Sequence, residues 1–359
     1  TSLAYNSGRL ENGWGFTLAG SYKRGTGFVD ETWSEGYFYY AKIQKEIGSH
    51  IFSLSAMGAP QKHGQRKYQN RVSTFDTTIA RSLGDTSDFG TISNMGIQYN
   101  EHWGNLDRWT LDNNGDTIHN RGTLNTRQNY YHKPQFSLRD FWTVNDKLYV
   151  SNILYASIGN GGGTKATGIG EKSGQADLQY VYNSNIGAGL FAPINTDYSD
   201  TEYITQSYLQ SSINNHYWYG GLSTLNYQTN DKLVLSGGID MRYYRGEHYR
   251  EIYDLLGADY AINVDKEGNP KDKIQNSAIK REGDIIDYHN DGIVKWSGVF
   301  SQAEYSHGIL SAFFNISASN SAYKRVDYFK NKDLVLDDTT YYEALGTSII
   351  EIDGKQQLT

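Results

Sequence analysis

Residues 36–60 read GYFYYAKIQKEIGSHIFSLSAMGAP, and apolar side chains recur there at every second place, stop at a polar break, and resume. A period of two marks a β-strand whose two faces meet different surroundings. Tyr37, Tyr39, Ala41 and Ile43 share one face of the first run, opposite Phe38, Tyr40, Lys42 and Gln44. After a turn at 46–49, Phe52, Leu54 and Ala56 alternate with Ser53, Ser55 and Met57. The pattern predicts a hairpin. It leaves open whether the apolar face meets a protein core or lipid.

The rest of the chain bears on that question. Tight connections recur at 145–147, 228–232 and 306–308, each between alternating runs, such as FWTVNDKLYVSNILYASIG and HYWYGGLSTLNYQTNDKLVLSGGIDMRYY. Between these hairpins lie long polar stretches at 59–135, 159–214 and 246–292, with another from about 322 to the end. Connections of that length are rare in compact soluble domains. Very short turns alternating with very long loops are the layout of an outer-membrane barrel, with short periplasmic turns and long extracellular loops. The sequence therefore predicts an all-β, transmembrane antiparallel β-barrel, with about nine strands present in this chain.

Face composition points the same way. Leu233, Leu235, Gly237, Ile239 and Met241 alternate with Val234, Ser236, Gly238, Asp240 and Arg242. Leu310, Ala312, Phe314 and Ile316 alternate with Ser311, Phe313, Asn315 and Ser317. Ser297, Val299, Ser301 and Ala303 oppose Trp296, Gly298, Phe300, Gln302 and Glu304. Asp240, Arg242 and Glu304 all fall opposite an uncharged face, as expected where a mid-membrane Lys or Arg would cost about 2–4 kcal/mol. The apolar face is read as facing lipid. Trp14, Tyr22, Tyr37, Tyr39, Trp218, Tyr227, Tyr243 and Trp296 sit near strand ends and suit interfacial girdles. FSLRDFWTV (136–144) fits poorly, because adjacent Arg139 and Asp140 put one charge outward unless it lies near an interface.

Composition sets bounds. The chain has 359 residues, 38 Gly, 30 Tyr, 4 Pro and 14% aromatic side chains, with mean hydropathy −0.64. No apolar run nears the roughly 20 residues of a membrane helix, which leaves strands as the means of spanning. Cysteine is absent, so disulfides and thiolate metal sites are excluded. A net charge of −7 argues against nucleic acid as a partner. No blade-like repeat of 40–50 residues supports a propeller. The chain opens inside an alternating pattern and closes on SIIEIDGKQQLT, which reads as the middle of a hairpin; both ends are read as interior to a longer protein.

Three blocks carry a family resemblance. Residues 15–68, containing GAPQKHGQR, resemble the early barrel strands of a TonB-dependent outer-membrane transporter, in the branch with a carboxypeptidase-regulatory-like domain related to SusC-like importers. SNILYASIGNGGG (151–163) and GGIDMRYYRGEHYREIYDLLGADY (237–260) are similar to later hairpins of that branch. The resemblance implies a 22-stranded barrel and an N-terminal plug driven by TonB–ExbB–ExbD, with plug and remaining strands outside this chain. It implies a bacterial outer-membrane location and import of a nutrient: glycan, peptide, siderophore, haem or cobalamin, some handed over by a surface lipoprotein lid. Lys42, Gln44, Asp240, Arg242, Gln302 and Glu304 would line the lumen against plug and ligand. A passive porin or adhesion barrel remains the alternative, and a soluble carbohydrate-binding β-protein a third.

None of the nine histidines lies in GxSxG or HExxH, so no enzyme, cofactor or metal site is expected. GNGGGTKATGIGEKSG (159–174) lacks the phosphate-loop lysine spacing and reads as a flexible external loop. LDNNGDTIHN (111–120) and VDKEGNPKDK (264–273) read as turns before calcium loops. DYHNDG (287–292) is the best metal candidate of the sequence but reads as a solvated loop. Trp103, Trp109, Tyr130, Tyr131 and His132 fall in the 59–135 stretch, where they form either a ligand-binding cluster at the outer mouth or the loop's own small core.

Overall fold

The computed structural model describes all residues except 68, 189–192, 331–332, 337–338, 343–348, 353–354 and 359. One large sheet dominates. In chain order its first strands are β1 (Ser2–Arg9), β2 (Trp14–Thr26), β3 (Trp33–Ile47), β4 (His50–Gly58) and β5 (Gln61–Gly64). A separate hairpin, β6 (Trp103–Leu111) with β7 (Thr117–Asn125), precedes β8 (Gln128–His132), β9 (Gln135–Asn145) and β10 (Leu148–Thr167). The long strands β11 (Tyr208–Asn230), β12 (Leu233–Asp254), β13 (Ile285–His307) and β14 (Leu310–Asp327) complete the sheet. Neighbours run β1-β2-β3-β4-β9-β10-β11-β12-β13-β14, antiparallel at each step. That is a meander, the simplest route by which consecutive strands pair.

The turns explain the order. Gly48 and Gly308 take φ of 59°, a conformation costly for other residues, at the tips of β3–β4 and β13–β14. Asn145 and Asn230 each accept from two following amides, Lys147 and Leu148 at 2.9 and 3.0 Å, Lys232 and Leu233 at 2.9 and 3.1 Å. These are side-chain-closed turns. A fifth hairpin, β1–β2, was not legible, because SLAYNSGR lacks a clear apolar face and its ladder shifts between Asn6 and Arg9. Proline interrupts two rungs. β5 continues the line of β4 beyond Pro60, pairing β3, and β8 and β9 are divided at Pro134.

Two sequence expectations are corrected. The segment 159–167 is the upper part of β10, paired to both β8 and β11, and is not a loop. A Cβ at Gly162 would meet Tyr130 Oη at 2.7 Å and Ile213 Cδ1 at 2.8 Å, so glycine is what lets side chains from both neighbours approach. Likewise 246–254 and 285–292 belong to β12 and β13. Their polar side chains on both faces hid them, since a strand without an apolar face shows no alternation.

The connections that remain, 65–127, 168–207 and 255–284, carry folded segments among their described residues. Helices α1 (Val72–Phe75), α2 (Thr77–Ser82) and α3 (Leu178–Asn185) lie in them. Leu106 of β6 packs with Leu178, Val181 and Tyr182 of α3 and with Leu256. Tyr208, Ile252, Leu255, Ala261 and Ile286 form a second small core at the strand ends. Both expected turns are present: Gly115 and Gly268 have φ of 85° and 84°, and Asp112 and Asp265 cap them. At the chain end Ile349–Ile352 pairs with Lys355–Leu358 as read, its tip lying outside the described residues.

In the 255–284 connection Lys280 is fully buried and its Nζ lies 2.6 Å from Asp272 Oδ2. Burial pushes the Asp272 carboxyl up, but Lys280 and the amides of Gln275 and Ile274 outweigh it and hold the group below its ordinary value. A lowered carboxyl stabilises the fold above the unfolded-state pKa near 3.8 and loses that contribution as pH falls through the folded value. Amide exchange in 260–280 is therefore expected to be flat from neutral pH to about 4 and to accelerate, relative to intrinsic rates, below it. Onset of deprotection at pH 6 would contradict this.

Candidate functional site

The registers define two faces. Phe16, Ile43, Leu54, Leu138, Leu154, Gly221 and Met241 are successive direct partners across seven strands, so they form one ribbon on one face. Leu54, Leu154 and Met241 on it are 54%, 60% and 59% exposed, which in water would be an unusual apolar patch. The opposite face carries Lys42, Gln44, Asp240, Arg242, Gln302 and Glu304, with Lys42 beside Ser55 and Ser236 beside Gln302.

Asp140 faces the apolar side, where His50 Nδ1 holds it at 2.9 Å and Asn152 Nδ2 at 3.4 Å. Ser223 Oγ donates to Asn152 at 2.7 Å, extending the polar chain. Arg139 takes the other face, beside Ser53. The outward charge is thus accommodated by partners, His50 lying at the β4 turn.

The five aromatic-loop residues separate into three places. Trp109 backs onto the small core around α3, exchanging backbone hydrogen bonds with Tyr182 Oη, both at 3.2 Å. Trp103 starts β6, its Nε1 buried without a partner. Tyr130, Tyr131 and His132 form β8, where consecutive residues point to opposite faces. His132 Nε2 meets Tyr39 Oη at 2.9 Å and Tyr130 Oη meets Ser211 Oγ at 3.5 Å. Neighbouring rings on opposite faces cannot both stack on one ligand.

A different constellation gathers on the polar face. Ser157, Trp218, Tyr244 and Val294 follow one another in register, and Arg242 pairs with Trp296. With Lys133 and His216 they line a concavity of about 540 Å³. The Arg242 guanidinium lies 4.7 Å from the Trp296 ring centre and donates to Asp240 Oδ1 at 3.2 Å. His216 Nδ1 and Tyr244 Oη are 2.6 Å apart, and the Trp218 ring meets Tyr244 edge-on at 5.8 Å. His216, Trp218 and Tyr244 pack ring on ring, and Trp296 packs against Arg242. Two cations beside three aromatic rings suit a planar, hydroxylated or anionic ligand held by stacking and charge.

Trp218 and Trp296 thus leave the girdle in which the sequence placed them: both project from the polar face, while Tyr219 and Tyr243 face the other way as partners. The signal was present, since Trp296 alternates with Gly298 and Phe300. Lys133 and His216 had none, because only the pairing of β10 with β8 and β9 on one side and with β11 on the other brings them to Gly159.

No family model and no curated protein matches the chain. Among solved structures it is similar to the unliganded ferric citrate transporter FecA, at 8% identity and TM-score 0.49, covering 91% of this chain and 35% of that one. The ferric-catecholate import receptor Fiu from E. coli, open form, gives 10% and 0.46 over 90% of this chain and 42% of its own. The siderophore receptor PiuA from Acinetobacter baumannii gives 10% and 0.37 over 90% and 45%. The chain spans less than half the length of each. Likenesses this loose do not assign it to a family.

Proposed function

We propose that this chain is part of the wall of an outer-membrane β-barrel that admits a nutrient ligand, driven by TonB through a plug. The reading rests on one observation: a meander of antiparallel strands with an exposed apolar ribbon on one face and an ordered aromatic–cationic surface on the other. A bilayer would cover the first, and a permeating ligand would meet the second. The folded connections at the far end from the tight turns are then extracellular, and Lys42, Gln44, Asp240, Arg242, Gln302 and Glu304 line the lumen. Asp240 and Arg242 already satisfy one another, so they shape the wall more than they reach for a plug.

Deletion of TonB is expected to abolish uptake while leaving ligand capture at the cell surface intact. Uptake that continues unchanged would leave the passive porin. The ligand class is tested at the site itself. Trp296→Ala removes both a stacking surface and the platform under Arg242, and surface affinity is expected to fall by about 1–3 kcal/mol for a ligand that stacks there. Tyr219→Ala, on the opposite face, is expected to leave affinity unchanged in the same binding titration.

A further inference from the structure

Above the Tyr219–Tyr243 pair, on the same side of the sheet, the strands carry a compact polar cluster that the proposed transport does not use. Glu247 of β12 is the direct partner of Asp291 of β13, and His289 lies two residues before Asp291 on the same face. One donor atom from each of the three side chains lies within 4.8 Å of the others. We propose that Glu247, His289 and Asp291 bind a first-row divalent cation, of which zinc is the type.

Three acids and bases in proximity do not make a site; the hydrogen bonding around them does. Asp291 is 2% exposed. Its Oδ2 accepts from Arg245 Nε at 2.7 Å and from Tyr328 Oη at 2.9 Å, while its Oδ1 is buried with no partner. A buried carboxylate oxygen without a partner is costly, and a cation supplies what it lacks. The charge count agrees. Two carboxylates facing Arg245 alone leave the cluster at −1 when His289 is neutral. A proton on His289, whose Nε2 lies 3.4 Å from Glu247 Oε1, would balance Glu247 but leave Asp291 Oδ1 still unpaired.

The surroundings are those of ordered ligands. Asn215 Nδ2 donates to Glu247 Oε2 at 3.1 Å, and Arg245 and Tyr328 fix Asp291. The His289 ring is held between Tyr328, at 4.4 Å, and Tyr249, at 5.5 Å. Outer partners of this kind orient ligands and tune affinity. Imidazole among the donors selects zinc and its first-row neighbours over magnesium and calcium, which prefer oxygen alone. Tetrahedral zinc bonds of about 2.0–2.2 Å to nitrogen and oxygen set donors about 3.4 Å apart, so donors now within 4.8 Å of one another must close by up to about 1.4 Å as the ion enters. The ion would join β12 to β13 beyond the apolar ribbon, with β11 and the residue after β14 supplying the outer partners.

The test is a zinc titration of the untagged, chelator-stripped protein in detergent against a chromophoric competitor. One tightly bound equivalent is expected, weakened at least 100-fold by His289→Ala or Glu247→Gln and about tenfold by Tyr328→Phe. No equivalent retained against the competitor, or His289→Ala binding as wild type, would overturn the site. X-ray absorption on zinc-loaded wild type keeps the question open to refutation should a variant fail to fold. One imidazole with oxygen donors is expected; none, or two or more, would refute the assignment.

Discussion

Lys280→Met is expected to destabilise the 255–284 connection by about 3–5 kcal/mol, the cost of leaving a buried carboxylate without its counter-charge. Asp272 is 3% exposed, and its ammonium partner also bonds Gln275 Oε1 at 3.1 Å. Removing the cation strands the anion in a place water does not reach. The double variant Lys280→Met with Asp272→Leu discriminates the cause. Buried pairs replaced by apolar residues of similar size are often neutral, so the second substitution should recover most of the loss. Amide exchange at 260–280 reads both, while β11–β13 serve as an internal reference. If the single and double variants are equally destabilised, the loss comes from packing and the ion pair is incidental. The backbone amides of Ile274 and Gln275, which Asp272 caps, set the limit of that recovery.

Ile239→Arg is expected to cost about 2–4 kcal/mol in a bilayer, because the side chain lies on the apolar face, two residues along β12 from Met241 and beside Val299. It is 48% exposed, so in water the same change would cost little. Thr224→Arg supplies the control. Thr224 is the partner of Gly238 and Ser151 on the opposite, polar face, which the proposed barrel turns toward its lumen. The measurement is the heat-modifiable gel shift after refolding into lipid vesicles, followed by denaturant titration. Equal behaviour of the two variants would show that lipid does not cover the apolar face, and with it the barrel reading would fall. A shift lost only in Ile239→Arg fixes the register of β12 by function, since a slip of one residue would exchange the faces.

The sequence by itself determined the two-faced strand segments of this protein. Where Phe16, Ile43, Leu54 and Met241 lie, one side of each strand meets an apolar medium and the other a polar one, and that difference is written into the chain with period two. The turn glycines 48 and 308 and the turn asparagines 145 and 230 are equally local, so four hairpins and both faces followed from residues a few positions apart. Only the tertiary structure decided what lies beyond. In 159–167, 246–254 and 285–292 the backbone ladders continue, but both faces carry polar side chains, so alternation fades and strand looks like loop. The cores around Leu178 and Ile252 join residues from distant connections, and no periodic signal records such contacts. The same holds for the sites. Trp218, Arg242 and Trp296 come together through the pairing of three strands, and Glu247 meets His289 and Asp291 across a long connection. Periodicity reports which medium a side chain faces; which distant side chain stands beside it is set by register, and register between strands joined by long connections exists only in the folded sheet.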